Sequence, residues 1–248
     1  MTNAIKVYNP EDDFGQMRPQ DTIVSRLRLQ QALSPAVNAG KLVQGCYAID
    51  DNEVAIERGT VERIIPLMFW FQWVEFNPDM NADKKNKILS KSIDPTSDLA
   101  REASTYVTVK NPEGKSVFKV TESYNFVVLC PGLGAFERPF VISFQRSSHK
   151  LAKAWLNRMA NMRVNGAKIN MWRNSWELGA EFKDEGPKKK YFLPTMNNPM
   201  AVPEDRWEFL NTTATGLREQ RAALAQRELD AAVEDAHAES SGATEDKF

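Results

Sequence analysis

Residues 64–78, IIPLMFWFQWVEFNP, constrain the fold more than any other stretch. Phe69, Trp70, Phe71, Trp73 and Phe76 fall within eight positions. In VERIIPLMFWFQWVEF the β-branched and aromatic residues favour a strand. Both alternating faces are apolar, so such a strand has to be covered on two sides. Pro66 and Pro78 read as its ends. Most of these rings then belong to the core, and Trp70 or Trp73 are the ones placed to reach a ligand.

A doubly covered strand needs partners, and the chain supplies them. TYVTVK, NPEGK and SVFKVTESYNFVVL form a hairpin pattern, with Gly114 in the positive-φ place that closes a type I turn. PFVISFQ is a further strand, followed by Ser147 and Ser148 as helix caps. Residues 150–162 have helical period: Leu151, Trp155, Met159 and Met162 share one side, while Lys150, Lys153 and Asn157 share the other. Trp155 belongs to the core. AKINMWRNSWELGAEF reads as one or two strands. Residues 77–103, with clustered Lys84, Lys85, Lys87 and Lys91, read as a long mobile loop or insertion, and DEGPKKKYFLPTMNNPMAVPED as a basic, proline-punctuated loop. RPQDTIVSRLRLQQALSPAV is a short helix or an extended segment. Pro203 opens a C-terminal helix, which LREQRAALAQRELDAAVEDA continues.

The resulting architecture is α+β, mainly antiparallel sheet (OB-like or a divergent sheet-based fold), with a basic helix, a C-terminal helix and a disordered acidic tail. Four segments follow: a polar arm at 1–17, a sheet-based domain at 18–202, a helical segment at 203–237 and the tail at 238–248.

Several functional classes are disfavoured. No apolar run is long enough for a membrane helix, and the opening MTNAIKVYNPEDDF lacks the basic-then-apolar pattern of a secretory signal. Cys46 and Cys130 stand apart, as free thiols in a reducing compartment do. With two histidines, no grouped nucleophile and base, and Gly132-Leu-Gly134 lacking the third glycine of a dinucleotide fingerprint, an enzyme is not expected. No cofactor or metal is expected either, since Asp12 with Asp13 and Asp50 with Asp51 lack His or Cys company.

Charge points elsewhere. The formal net charge is −1, yet residues 138–191 hold 12 Lys/Arg against 4 Asp/Glu, and residues 228–248 hold 7 acids against Lys247. Single-stranded nucleic acid needs cations for phosphate and flat rings for bases. In KINMWRNSW, strand alternation sets Lys168, Trp172 and Trp176 on one face and Arg173 on the other. Lys188, Lys189 and Lys190 immediately precede Tyr191, and Arg146, Lys150 and Lys153 lie upstream. These residues are the candidate nucleic-acid contacts.

The stretches RPQDTIVSRLRLQQALSP, YNFVVL and PFVISFQRSSHKLAKAWLNRM, in that order and spacing, resemble a group of bacteriophage-encoded proteins. That group includes single-stranded DNA-binding proteins, some acting in phage transcription, and the resemblance spans residues 18–192. It implies a replication or transcription accessory in the cytoplasm of an infected bacterium. Some of that group carry a cysteine-rich middle segment, where this chain has SKSIDPTSDLAREAS. The ending GATEDKF resembles the acidic, Phe-terminated tails of bacterial and phage single-stranded DNA-binding proteins. Asp246 and Phe248 are therefore candidate contacts for RNA polymerase or replication proteins. The alternative is an interaction protein that docks on such partners without binding DNA.

Overall fold

The aromatic run lies on a fifteen-residue strand, Glu62–Phe76, at the centre of a computed structural model that describes residues 24–32, 34–79, 88–133, 135–145, 148–186 and 190–221. In chain order the strands are β1 (Ser25–Leu29), β2 (Tyr47–Ile49), β3 (Glu53–Ile56), β4 (Glu62–Phe76), β5 (Ile88–Ser92), β6 (Thr108–Lys110), β7 (Ser116–Phe118), β8 (Val120–Cys130), β9 (Ala135–Gln145), β10 (Arg163–Val164), β11 (Ala167–Lys168), β12 (Asn174–Asp184) and β13 (Lys190–Ala201). The α-helices are α1 (Pro35–Asn38), α2 (Asp98–Ser104), α3 (His149–Asn161) and α4 (Trp207–Glu219). The fold is mixed α+β and mostly sheet.

Nine strands form one sheet in the order β13-β12-β4-β8-β9-β1-β2-β3, with β5 also on β4. The sheet curls into a half-barrel and is antiparallel except where β1 runs parallel to β9. Side chains tie the two ends of the curl together. The Tyr47 hydroxyl donates to the Gly179 carbonyl at 2.9 Å. The Gln31 amide donates to the Phe192 carbonyl at 2.8 Å and accepts from the Phe192 N–H at 3.0 Å. Gly45, with φ of 90°, lets the chain pass the Phe192 ring so closely that a Cβ would meet it at 2.6 Å.

Each face of the sheet is covered by one helix. On the concave face α3 buries Ala152, Trp155 and Met159 against Ile64, Phe126, Phe144 and Trp176. On the convex face α4 buries Leu210, Ala214 and Leu217 against Ile65, Leu67, Trp70 and Val127. The core role assigned to Trp155 matches its burial.

A bulge organises β4. Its register against β8 shifts between Pro66 and Met68, and one extra residue inverts the alternation of side chains. Ile64 joins the concave cluster before the shift; Phe69 and Phe71 pack on the concave side after it, while Trp70 faces the convex cluster. Pro66 therefore lies inside the strand, not at its end as the sequence suggested, because a bulge tolerates a residue without an N–H. Trp70 and Trp73 are 1% and 4% exposed, which removes them as ligand contacts. Phe71 stacks on Trp73 at 5.6 Å and meets Tyr124 edge-on at 4.9 Å.

Two other segments differ from the sequence reading, and one that it left open as helix or extended chain is a strand: SRLRL forms β1. The supposed loop at 77–103 contains β5 and α2; Ser97 caps α2 by accepting from the Ala100 N–H. The supposed loop from Lys190 is strand β13, which among the described residues is an edge strand paired with β12 alone, where Pro194 and Pro199 cost few ladder bonds. The β6–β7 hairpin forms as read, with Gly114 at φ 75° and its N–H on the Asn111 carbonyl.

Candidate nucleic-acid interface

From Arg138 to Trp176 the sequence carries eight Lys/Arg and no Asp/Glu. This stretch forms β9, α3, the β10–β11 hairpin and the start of β12. Because α3 turns its apolar stripe into the concave core, Lys150, Lys153, Asn157 and Arg158 are left on its exposed side. Lys153 lies 3.8 Å from the Glu122 carboxylate. Arg158 donates to the Met196 carbonyl at 3.4 Å, with its guanidinium 4.9 Å from the Trp176 ring centroid.

The hairpin extends this surface. Asn165 and Gly166, with φ of 50° and 81°, make the two-residue turn that Asn-Gly favours. The register places Arg163 directly opposite Lys168, and both are exposed. Like charges across a strand pair repel. An anion between them would relieve that repulsion.

The tryptophans differ from expectation. A 3₁₀ turn, Met171–Arg173, interrupts the strand before β12, so alternation does not carry from Trp172 to Trp176. Trp172 enters the convex cluster and Trp176 the concave one. At 5% and 0% exposure neither offers a ring to a base. Arg173 stacks 3.5 Å from the Trp207 ring centroid, a structural contact that fastens α4 to the turn.

The remaining candidates are scattered. Lys150, Lys153 and Lys168 share the α3–hairpin segment. Lys190 pairs with Asp184 at 3.1 Å, and Tyr191 is half-buried with its hydroxyl on Glu185 at 2.8 Å. Arg146, Lys188, Lys189, Asp246 and Phe248 lie outside the described residues, as do the 1–17 arm and the acidic tail. Sequence reasoning missed Arg158 and Arg163. The helical period places Arg158 eight residues after Lys150, and the Asn-Gly pair marks the hairpin that presents Arg163.

His149 opens α3 with Nε2 2.5 Å from the Glu122 carbonyl oxygen. Burial pushes its pKa below the ordinary histidine value, outweighing the Glu122 carboxylate 3.8 Å away. Ser148 begins the helix, but its hydroxyl engages the Gln145 backbone instead of capping the helical N–H groups. Cys46 and Cys130 are buried free thiols, each raised in pKa chiefly by desolvation. Asp50 accepts from the Arg26 N–H at 2.7 Å, and Asp51 pairs with Arg28 at 2.5 Å. Among the described residues no three His, Cys, Asp or Glu side chains converge as metal ligands.

A cleft of about 310 Å³ opens where β1 and β9 part beyond Arg26 and Val141. Phe192, Leu193 and Pro194 of β13 form one wall, and Arg26, Gln30 and Ser143 contribute polar lining.

A family profile described as Pam3 phage gp34-like protein matches residues 4–222. The chain belongs to that family. Its phage character agrees with the phage group that the sequence resembles, and the match spans the whole curled sheet, α3, the hairpin and α4. No curated protein and no solved structure matches the chain. Among the described residues, no helix of this gp34-like chain is long and apolar enough to cross a membrane.

Proposed function

We propose that this phage protein binds single-stranded DNA without sequence preference and without catalysing a reaction, as an accessory to replication or transcription in the cytoplasm of the infected bacterium. The observation that carries the reading is the exposed cationic surface of α3 and the β10–β11 hairpin, built from a stretch with no Asp or Glu of its own and bordered by Glu122 at Lys153, ending in Arg163 opposite Lys168. Lys150, Lys153, Arg158, Arg163 and Lys168 neutralise phosphates, and each neutralised phosphate releases condensed counterions. The sheet curls as an OB-like sheet does, but α3 fills its concave face. The strand therefore runs over the outside of the helix, not across the strands. Base contact falls to rings that remain exposed.

The test is fluorescence anisotropy of labelled oligothymidine across a salt series, with duplex and RNA competitors. Tight binding that prefers single-stranded DNA and weakens with salt supports the reading. Absence of binding at low salt overturns it.

A second reading has its own observation. Tyr106, Val107 and Phe118 are 64%, 40% and 46% exposed around the β6–β7 hairpin, an apolar patch suited to a protein partner such as RNA polymerase or a replication protein. A partner retained after nuclease treatment, and released by Phe118→Ser, supports docking there.

A further inference from the structure

Burial of Trp172 and Trp176 leaves the proposed DNA site with cations and, of the rings first assigned to it, Tyr191, half-buried with its hydroxyl on Glu185. The β12–β13 ribbon supplies a more exposed one. Its ten paired positions run from Asn174 opposite Ala201 to Asp184 opposite Lys190, whereas β12 meets β4 only at Trp176, Glu177 and Leu178. The rest of the ribbon extends past the central strand.

Alternation along the ribbon puts Trp176, Leu178, Ala180 and Phe182 on one face, with Met196, Pro194 and Phe192 opposite the last three. The first two are fully buried against α3 and the concave core. Exposure grows along this face until Phe182 is 44% exposed.

That ring is held, not loose. It packs on Phe192, with centroids 5.2 Å apart. Phe192 is itself 5% exposed and clamped by the two Gln31 hydrogen bonds and by the close passage of Gly45. The Arg58 guanidinium lies 5.1 Å from the Phe192 centroid and is exposed beside it. A solvent-facing phenylalanine with a rigid backing ring and a neighbouring guanidinium has the parts of a base-stacking platform. Charge also separates it from the Tyr106 and Phe118 rings. Lys115 and Lys119 near those rings are paired with Glu113, Glu75 and Glu102. No ion pair to Arg58 occurs among the described residues.

We infer that Phe182, backed by Phe192 with Arg58 over that backing ring, stacks a base of the single strand whose phosphates follow α3 and the hairpin. The inference rests on the single-stranded DNA reading and adds to it the ring that distinguishes a base-bearing strand from a bare polyanion.

The experiment compares wild type, Phe182→Ala and Phe182→Trp on two labelled probes of equal length, oligothymidine and an abasic phosphodeoxyribose strand, with a thermal melt of each variant. Phe182→Ala is expected to lose about tenfold or more in oligothymidine affinity, to bind the abasic strand as wild type does, and to melt with wild type. Phe182→Trp is expected to keep oligothymidine affinity. If wild type binds oligothymidine and Phe182→Ala binds it equally well, the platform is wrong and the DNA reading survives. Equal losses on both probes also overturn stacking. If wild type binds neither probe, the DNA reading itself fails, and the platform with it.

Discussion

Helices α3 and α4 do the same structural work on opposite faces of one sheet, and their outer surfaces have nothing else in common. Each buries three residues at helical spacing: Ala152, Trp155 and Met159 in α3; Leu210, Ala214 and Leu217 in α4. Outward, α3 presents Lys150, Lys153 and Arg158 without an acid, whereas α4 mixes Glu208, Arg218 and Glu219. Packing needs only the buried stripe, so it does not account for the one-sided charge of α3. That charge is the basis on which α3, and not α4, is proposed to carry the DNA site.

The largest expected effects show that both helices are structural. Trp155→Ala should cost about 3–5 kcal/mol and Leu210→Ala about 2–5 kcal/mol of unfolding free energy in urea titrations, from reduced burial plus the cavity left behind. A cost below about 1 kcal/mol for either would mean that its helix is not seated on the sheet.

Function should then separate them. Replacing Lys150, Lys153, Arg163 and Lys168 together by Ala should weaken oligothymidine binding at least about tenfold and reduce the salt slope by about 0.7 for each phosphate no longer neutralised, with little change in melting temperature. Arg218→Ala on α4 should leave binding unchanged. Equal losses from the two sets would erase the distinction between the helices.

Gly45→Ala probes the closure of the sheet on which both helices sit. It forces a Cβ to within 2.6 Å of the Phe192 ring at a φ of 90°. We expect a loss of about 1–3 kcal/mol in the same titration, and wild-type stability would show that Phe192 is not clamped there.

The smallest effect concerns pH. His149 has a folded pKa below its unfolded value because burial disfavours the imidazolium. The unfolded chain therefore binds more protons as pH falls through the unfolded histidine value, and stability declines until the folded value is passed. Histidine-linked stability is thus present above this window and lost below it. His149→Gln should flatten the wild-type decline between about pH 7.5 and 5.5; an unchanged profile would assign the decline to other groups.

Much of the local structure was legible. The apolar faces of 62–76, the Asn-Pro-Glu-Gly hairpin and the period of α3 all rest on short-range patterning that tertiary contacts reinforce. Edge position was not legible. Pro194 and Pro199 argued against a strand because nothing in one sequence shows that β13 pairs on one side only. The candidate site divided in the same way. Lys150, Lys153 and Lys168, nominated as nucleic-acid contacts, are exposed, as lysines generally are, since a lysine is rarely buried unpaired. Trp172 and Trp176 were not, because the 3₁₀ turn between them breaks the period on which their shared face depended.

What the sequence determined by itself is the chemistry available: a strand apolar on both faces, an amphipathic helix, and an excess of positive charge that no acid interrupts between Arg138 and Trp176. What only the tertiary structure decided is which rings face solvent. A tryptophan and a phenylalanine have similar reasons to be buried, and the alternation that aligned Trp176 with Lys168 ranked it above Phe182, although each ring sits next to an acid, Glu177 and Glu181. The curl of the sheet fills one place with α3 and leaves the other beyond the last paired residue of β4. Burial depends on the residues brought together across the whole chain, and those residues lie far apart in sequence.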